Sequence, residues 1–376
     1  MKRIICILLT LIIALTPQIV YAEEPVAQTT EILLETTTGQ VLYSKNADEK
    51  RPMASITKEM CLLIWAEMLA EGRLTLEESV KASPYASSAE GSVIWLEAGE
   101  EMTVAELLEA IIVSSANDAC IALAEHTAGS EAQFVKQMNA RAKEMGLSGT
   151  RYTNCVGYDD NGHYSTARDI AVLTAELMTH EVYRGWQLTW LDYLRDGQTQ
   201  LVNTNKLIRY YDGILGGKTG TTDGAGYCLS ACAERGDLRL VAVTLGCSSD
   251  EERFDSTEEL LDYGFNGFEK FTPETDPSKL LPIKVVKGTS DKVTPVITDS
   301  NRECVIKKGR SADVQYEYTF VEELIAPVSA GQFVGEYLVT LDGTEVFRAD
   351  ITAATDVEKM DFLRCLWLVL TEMIQM

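Results

Sequence analysis

The chain has 376 residues, room for two or three domains, and its 46% apolar and 24% charged composition is that of an ordinary folded protein. Its 33 Lys and Arg stand against 57 Asp and Glu, a net charge of -24. A nucleic-acid binder needs a basic face to neutralise phosphates, so no nucleic-acid partner is expected, and an acidic chain gains no pull toward anionic lipid. The three histidines, His126, His163 and His180, fall in no HExxH or paired-cysteine pattern, so no metal site is expected.

The N-terminus reads as a secretion signal. Lys2 and Arg3 precede an apolar run from Ile4 to Leu15, and Val20-Tyr21-Ala22 ends in the small-residue pattern of a signal-peptidase site. Residues 1–22 are short for a membrane span, although an uncleaved anchor is the alternative. A secreted chain would work outside the cytoplasmic membrane. Of nine cysteines, eight follow Cys6. An even number invites disulfides, but these show no repeated spacing, and several sit in apolar stretches where a free thiol packs as a small hydrophobe. Cys228 and Cys232 are four apart on an expected strand, about 13 Å and too far to bridge. Cys61 and Cys120 are the first pair to test.

Alternation from Thr30 to Tyr43 around Thr38-Gly39-Gln40 predicts a hairpin. From Ser55 to about Leu69 the period becomes helical. Thr103 with Glu106 has capping-box spacing and opens a helix to Val113. Further helices are expected over Asp118–Thr127, Ser130–Met145 and Ala167–Thr179. Gly216–Gly220, Gly226–Ala233 and Leu238–Leu245 read as three successive strands, then a short helix over Thr257–Tyr263. Helices mixed with antiparallel strands argue an α+β first domain over residues 23–272. After the polar stretch at Thr272–Pro277, short alternating strands predict a small β-rich domain over 278–352. Residues 355–376 place Val357, Met360, Leu363, Trp367, Leu370 and Ile374 on one helical face. That amphipathic helix would lie on a membrane surface, or pack on the protein or a second copy.

Three short motifs carry chemistry. In Ser55-Ile56-Thr57-Lys58 a helical turn brings Lys58 to the Ser55 hydroxyl. Serine is a weak nucleophile until a base takes its proton, and a buried amine beside another cation can be that base. Ser55 is the one serine followed by Lys three residues on. Ser115-Ala116-Asn117 lies between two helices: Ser115 can pass a proton to a leaving amine, and the Asn117 amide can hold Lys58 and the substrate backbone. Lys218-Thr219-Gly220 offers a cation, a hydroxyl and a bare backbone against which a substrate strand can lie. The Thr221 and Ser55 N–H groups can form an oxyanion hole. Singly, each motif reads more simply as a surface serine, a helix cap or a Gly-rich hairpin.

Together they occur in the order SxxK, SxN, KTG, with 60 and then 103 residues between their first members. On these residues, and on Arg51-Pro52-Met53-Ala54-Ser55, His163-Tyr164-Ser165-Thr166-Ala167 and Asn203-Thr204-Asn205-Lys206, the chain resembles the low-molecular-weight penicillin-binding proteins, serine-type D-Ala-D-Ala carboxypeptidases of the peptidase S11 family. The resemblance implies a penicillin-binding/β-lactamase-like domain, an antiparallel sheet flanked by helices, then the family's β-rich domain and membrane-surface helix. It implies a peptidoglycan stem peptide as substrate, β-lactams as covalent inhibitors, no cofactor, and Arg253 near the substrate carboxylate. Val156 and Thr221 depart from the family's usual residues. Two rivals remain: a β-lactamase, for which the deacylating ExxxN loop is missing between Ser115 and Lys218, and a catalytically silent wall-binding protein of the same fold.

Overall fold

The computed structural model describes residues 29–297, 302–362 and 364. The expected leader, residues 1–22, lies outside them.

The first domain is built on one antiparallel sheet. Its strands are β1 (Thr30–Glu35), β2 (Val41–Lys45), β7 (Ile214–Thr222), β8 (Gly226–Arg235) and β9 (Leu238–Cys247), in the order β2-β1-β9-β8-β7. Two short hairpins stand apart: β3 (Ser79–Lys81) with β4 (Glu101–Thr103), and β5 (Leu191–Leu194) with β6 (Thr199–Val202). Successive strand residues face opposite sides, so each strand feeds two cores. Ile32, Leu34, Val241, Val243 and Leu245 join one cluster with α1 (Lys58–Ala70), α2 (Val104–Ser114), α3 (Asn117–Ala128), α4 (Glu131–Glu144) and α5 (Ala167–Leu177). Leu33, Leu240 and Ala242 join the other, against Phe254, Leu261 and Phe265 of α7 (Asp250–Gly267). α6 (Glu181–Gln187) links α5 to the β5–β6 hairpin.

The hairpin at 30–45, four of the helices and the three central strands stand where the sequence places them. Thr103 and Glu106 form the expected reciprocal cap. The helix expected over Thr257–Tyr263 is longer, because Ser249 caps its start and Asp250, Glu251 and Glu252 fill its first turn, where the helix dipole favours acids. Sequence periodicity missed α6 and the β5–β6 hairpin, whose runs are too short to show a period.

The second domain is mostly strand, with two short 3-10 turns at Pro277–Lys279 and Ser311–Asp313: β10 (Phe268–Phe271), β11 (Ile283–Val286), β12 (Lys292–Val293), β13 (Pro295–Ile297), β14 (Cys304–Lys307), β15 (Gln315–Phe320), β16 (Glu323–Ile325), β17 (Phe333–Leu341) and β18 (Thr344–Ala353). Its largest sheet runs β13-β18-β17-β15, and its core gathers Ile283, Val334, Tyr337, Val339 and Ile351. β10 pairs with β14, so the junction between the domains is itself hydrogen-bonded.

Residues 355–360, expected to open the amphipathic helix, run extended instead: Val357 bridges Val328 and Lys359 bridges Gly288. The cause is packing, since Val357 is buried in the second core rather than aligned with a helical stripe. Residues 363 and 365–376 of that expected helix lie outside the described residues. Among the described cysteines all seven are free and buried, Cys61 and Cys120 included. The Cys61 and Cys120 thiols both donate to the Cys155 carbonyl, at 3.2 and 3.4 Å, rather than to a disulfide.

Candidate active site

The SxxK segment is a tight turn before it is a helix. Residues 54–57 form a 3-10 turn, and the α-helix begins only at Lys58, three residues later than the sequence suggests. Ala54 adopts φ +48, a left-handed conformation costly for a residue with a Cβ. This bend is held from behind. Thr57 Oγ1 meets His163 Nε2 at 2.7 Å, while His163 Nδ1 accepts the Thr153 N–H at 3.1 Å. The ring is therefore the Nε2–H tautomer, donating to Thr57. Burial pushes its pKa down to about 4, so it stays neutral.

Lys58 is wholly buried. Its Nζ lies 2.8 Å from Ser55 Oγ and 2.8 Å from the Val156 carbonyl. Burial pulls the amine below the ordinary lysine range, because an uncompensated ammonium in an apolar surround is disfavoured. The Val156 position, singled out as a departure in its side chain, thus contributes through its carbonyl, which no side-chain pattern could reveal.

α2 ends at Ser115, which takes φ +62, and α3 restarts at Asn117. That break turns Ser115 Oγ to Lys218, whose Nζ donates to it at 2.8 Å and to the Thr219 carbonyl at 2.9 Å. Lys218 is also buried, and its pKa is lowered first by burial and then by the charge that Lys58 carries when protonated. Asn117 departs from its expected contact. Its Nδ2 donates to the Glu90 carbonyl at 2.6 Å rather than joining Lys58, and its Oδ1 is buried without a partner. The adjacent Asp118 carboxylate, unremarked in the sequence, accepts the Ile94 and Leu96 N–H groups at 3.1 and 2.9 Å and so ties the 90s loop to α3.

β7 supplies the far wall. Thr219 Oγ1 donates to Thr204 Oγ1 at 2.7 Å. A Cβ on Gly220 would stand 2.7 Å from the Met53 carbonyl and 3.0 Å from the Ser55 N, so only glycine lets β7 lie against the nucleophile turn. Arg253, carried by α7, is buried, donates to Thr221 Oγ1 at 2.9 Å and to the Gly220 carbonyl at 3.2 Å, and pairs with Asp250. The structure thus brings the predicted Ser55, Lys58, Ser115, Asn117, Lys218, Thr219, Gly220, Thr221 and Arg253 into one neighbourhood. Chemically it presents a hydroxyl beside a buried amine, a second hydroxyl beside a second amine, and a cationic strand edge.

Comparison with known proteins agrees with this arrangement. The family profile for D-alanyl-D-alanine carboxypeptidase matches residues 18–249, and that for the penicillin-binding protein 5 C-terminal domain matches residues 268–359. The chain is 38% identical to D-alanyl-D-alanine carboxypeptidase DacF of Bacillus subtilis over 376 residues, 96% of each chain. It is 34% identical to DacC of Escherichia coli, over 89% of this chain and 86% of that one. Among solved structures, penicillin-binding protein 5 from Haemophilus influenzae superposes with a TM-score of 0.78 at 28% identity, over 88% of this chain and 97% of that one. With the family profile spanning most of the catalytic domain and both domains matched in order, the chain belongs to the peptidase S11 family of D-alanyl-D-alanine carboxypeptidases.

Proposed function

We propose that this protein is an exported carboxypeptidase that removes the terminal D-Ala from peptidoglycan stem peptides through an acyl-enzyme on Ser55. Lys58, neutral in its buried position, takes the Ser55 proton as Oγ attacks the carbonyl of the penultimate D-Ala. The Ser55 and Thr221 N–H groups face the developing oxyanion. As the C–N bond breaks, Ser115 passes a proton to the leaving amine and takes in turn the proton that Lys58 received, so that Lys58 is neutral again and Lys218 stays an ammonium beside Ser115. Lys218, Thr219 and Arg253 bind the substrate carboxylate, while Asn117 Oδ1, buried and unpartnered, is free to accept an N–H of the substrate backbone. Water then attacks the ester, giving a proton to Lys58, which hands it to Ser55 Oγ as the acyl group leaves. β-Lactams acylate the same oxygen and leave slowly.

The observation that carries this reading is the 2.8 Å contact between a fully buried amine and Ser55 Oγ. The β-lactamase rival lacks support: no ExxxN loop lies between Ser115 and Lys218, and Glu176, with His180 rather than Asn four residues on, lines a surface hollow with Thr36, Gly39 and Arg141. The basic-then-apolar leader supports export, and action on the outer face of the membrane follows from it. Incubation with a labelled penicillin, followed by peptide mass mapping, tests the assignment. A stable adduct on Ser55, lost in Ser55→Ala together with D-Ala release, is the expected result; turnover retained in that variant would refute it.

A further inference from the structure

The residue after Lys58 is also fully buried, and the acyl transfer drawn above makes no use of it. Consecutive helix positions point about 100° apart, so while Lys58 reaches Ser55, Glu59 reaches the sheet. Its carboxylate accepts from two hydroxyls on different elements: Thr174 Oγ1 of α5 at 2.8 Å, and Ser230 Oγ of β8. Ser230 stands opposite Lys218 in the β7–β8 register, and its Oγ accepts the Lys218 N–H at 3.2 Å. A hydrogen-bonded chain therefore runs from the Lys218 backbone through Ser230 to Glu59, while the Lys218 amine ends on Ser115. Both ends of Lys218 are held.

Charge points the same way. Lys218 is buried near the Arg253 guanidinium and near the Lys58 amine, which works against the Lys218 proton whenever it carries one of its own, and Glu59 is the carboxylate that works for it. The groups facing Glu59 are Lys218 from β7, Ser230 and Cys232 from β8, Thr174 from α5, Tyr183 from α6, and Tyr152. Burial raises the Tyr152, Tyr183 and Cys232 pKa values and keeps them neutral, which leaves Lys218 as the cation opposite Glu59; the Glu59 carboxyl, itself pushed up to about 7 by burial, carries its charge on the alkaline side, where the Lys218 proton is at stake. A carboxyl in a core normally costs stability, so its retention behind the KTG strand calls for a reason.

We propose that Glu59 is a positioning residue for the acyl transfer: through Ser230 it fixes the Lys218 segment of β7, and its negative charge keeps the Lys218 side chain an ammonium on Ser115. This rests on the roles given above to Ser55 and Lys218.

The test uses the full chain carrying Glu59→Gln, Glu59→Asp or Glu59→Met. The rate of Ser55 acylation by a fluorescent penicillin, and kcat/KM for a D-Ala-D-Ala peptide, are followed against pH. Glu59→Gln should move the alkaline limb down by about one pH unit, the size expected for one lost buried charge, and leave the Lys58-controlled acid limb in place. Glu59→Asp should restore most of the limb. Glu59→Met, which places no polar atom of its own in the core, should show the same shift and keeps the test open if the Gln variant does not fold. An unmoved profile in a folded Gln or Met variant, with only the melting temperature changed, would make Glu59 a purely structural residue and overturn the proposal. Absence of any adduct on Ser55 in the unaltered protein would instead overturn the reading of the site, and this inference with it.

Discussion

Gly157 lies so close to Ala54 that a Cβ on Gly157 would stand 1.9 Å from the Ala54 carbonyl oxygen. Gly157 also holds φ +93, and Ala54 holds φ +48 immediately before the nucleophile. The two residues brace the Ser55 turn against the loop whose Val156 carbonyl receives Lys58. Gly157→Ala should therefore displace Ser55 as well as strain the backbone. Backbone strain of this kind costs on the order of 1–3 kcal/mol. The expected outcome is a lower melting temperature together with at least a tenfold loss of penicillin acylation, about 1.4 kcal/mol in barrier. Unchanged acylation in a destabilised variant would show that the brace does not set the Ser55 position.

Burial depresses the Lys58 pKa, so its neutral, base-competent form appears at a lower pH than for an exposed lysine. Acylation of Ser55 should rise with pH along a limb that lies below the ordinary lysine value of about 10.4. Lys58→Arg should remove acylation almost entirely, because a guanidinium stays protonated at any working pH. Rapid-mixing measurement of labelled penicillin uptake across pH checks both statements; an arginine variant with near-normal uptake would remove Lys58 from the role of base.

Two buried groups bind protons with opposite effects on stability. The His163 pKa is pushed down to about 4, whereas an unfolded histidine titrates near 6.5. Its contribution is present above about 6.5 and is lost as pH falls toward 4, because the unfolded chain takes up the proton first. The Glu59 pKa is pushed up to about 7, chiefly by burial, from 4.5 when unfolded. Its contribution is present below about 4.5 and is lost as pH rises toward 7. Each is on the order of 3 kcal/mol, so the two slopes oppose one another between about pH 4.5 and 6.5. Denaturant unfolding of His163→Gln should therefore expose a stability that falls with rising pH in that window. In Glu59→Gln the slope should reverse. Parallel curves for both variants and the unaltered protein would contradict this balance.

Asp118 holds the 90s loop through two backbone N–H groups, and Asn117 beside it holds the Glu90 carbonyl. Asp118→Ala leaves buried donors unpaired at about 1–3 kcal/mol each. The loop should loosen on the Ser115 side of the cleft, raising KM for a D-Ala-D-Ala peptide severalfold while Ser55 still acylates. Steady-state kinetics with the peptide, beside penicillin labelling, separates that outcome from global unfolding, in which both readouts fall together.

What the sequence determined by itself were the features whose physics is local. Thr103 and Glu106 announce a helix start because a capping box spans three residues, and it forms as read. The alternation from Thr30 to Tyr43 around Thr38-Gly39-Gln40 announces a hairpin, and β1 and β2 form it. Ser55, Lys58, Ser115, Lys218 and Thr219 were legible as a set because their order and spacing are carried by the chain itself.

Tertiary structure alone decided which atoms meet. The acceptor for Lys58 is a backbone carbonyl, at Val156, and a carbonyl has no letter in the sequence. Nothing in the sequence marks Glu59, and only the fold buries it and brings Ser230 of β8 to its carboxylate. Asn117 was expected to reach Lys58, but the fold brings Glu90 nearer. The segment after 355 has a helical stripe by period, yet Val357 pairs with Val328 because the second core offers more burial there than a solvated helix would. Local propensity is additive along the chain, whereas burial and hydrogen-bond partnership depend on residues a hundred positions away, and these set the chemistry of the site.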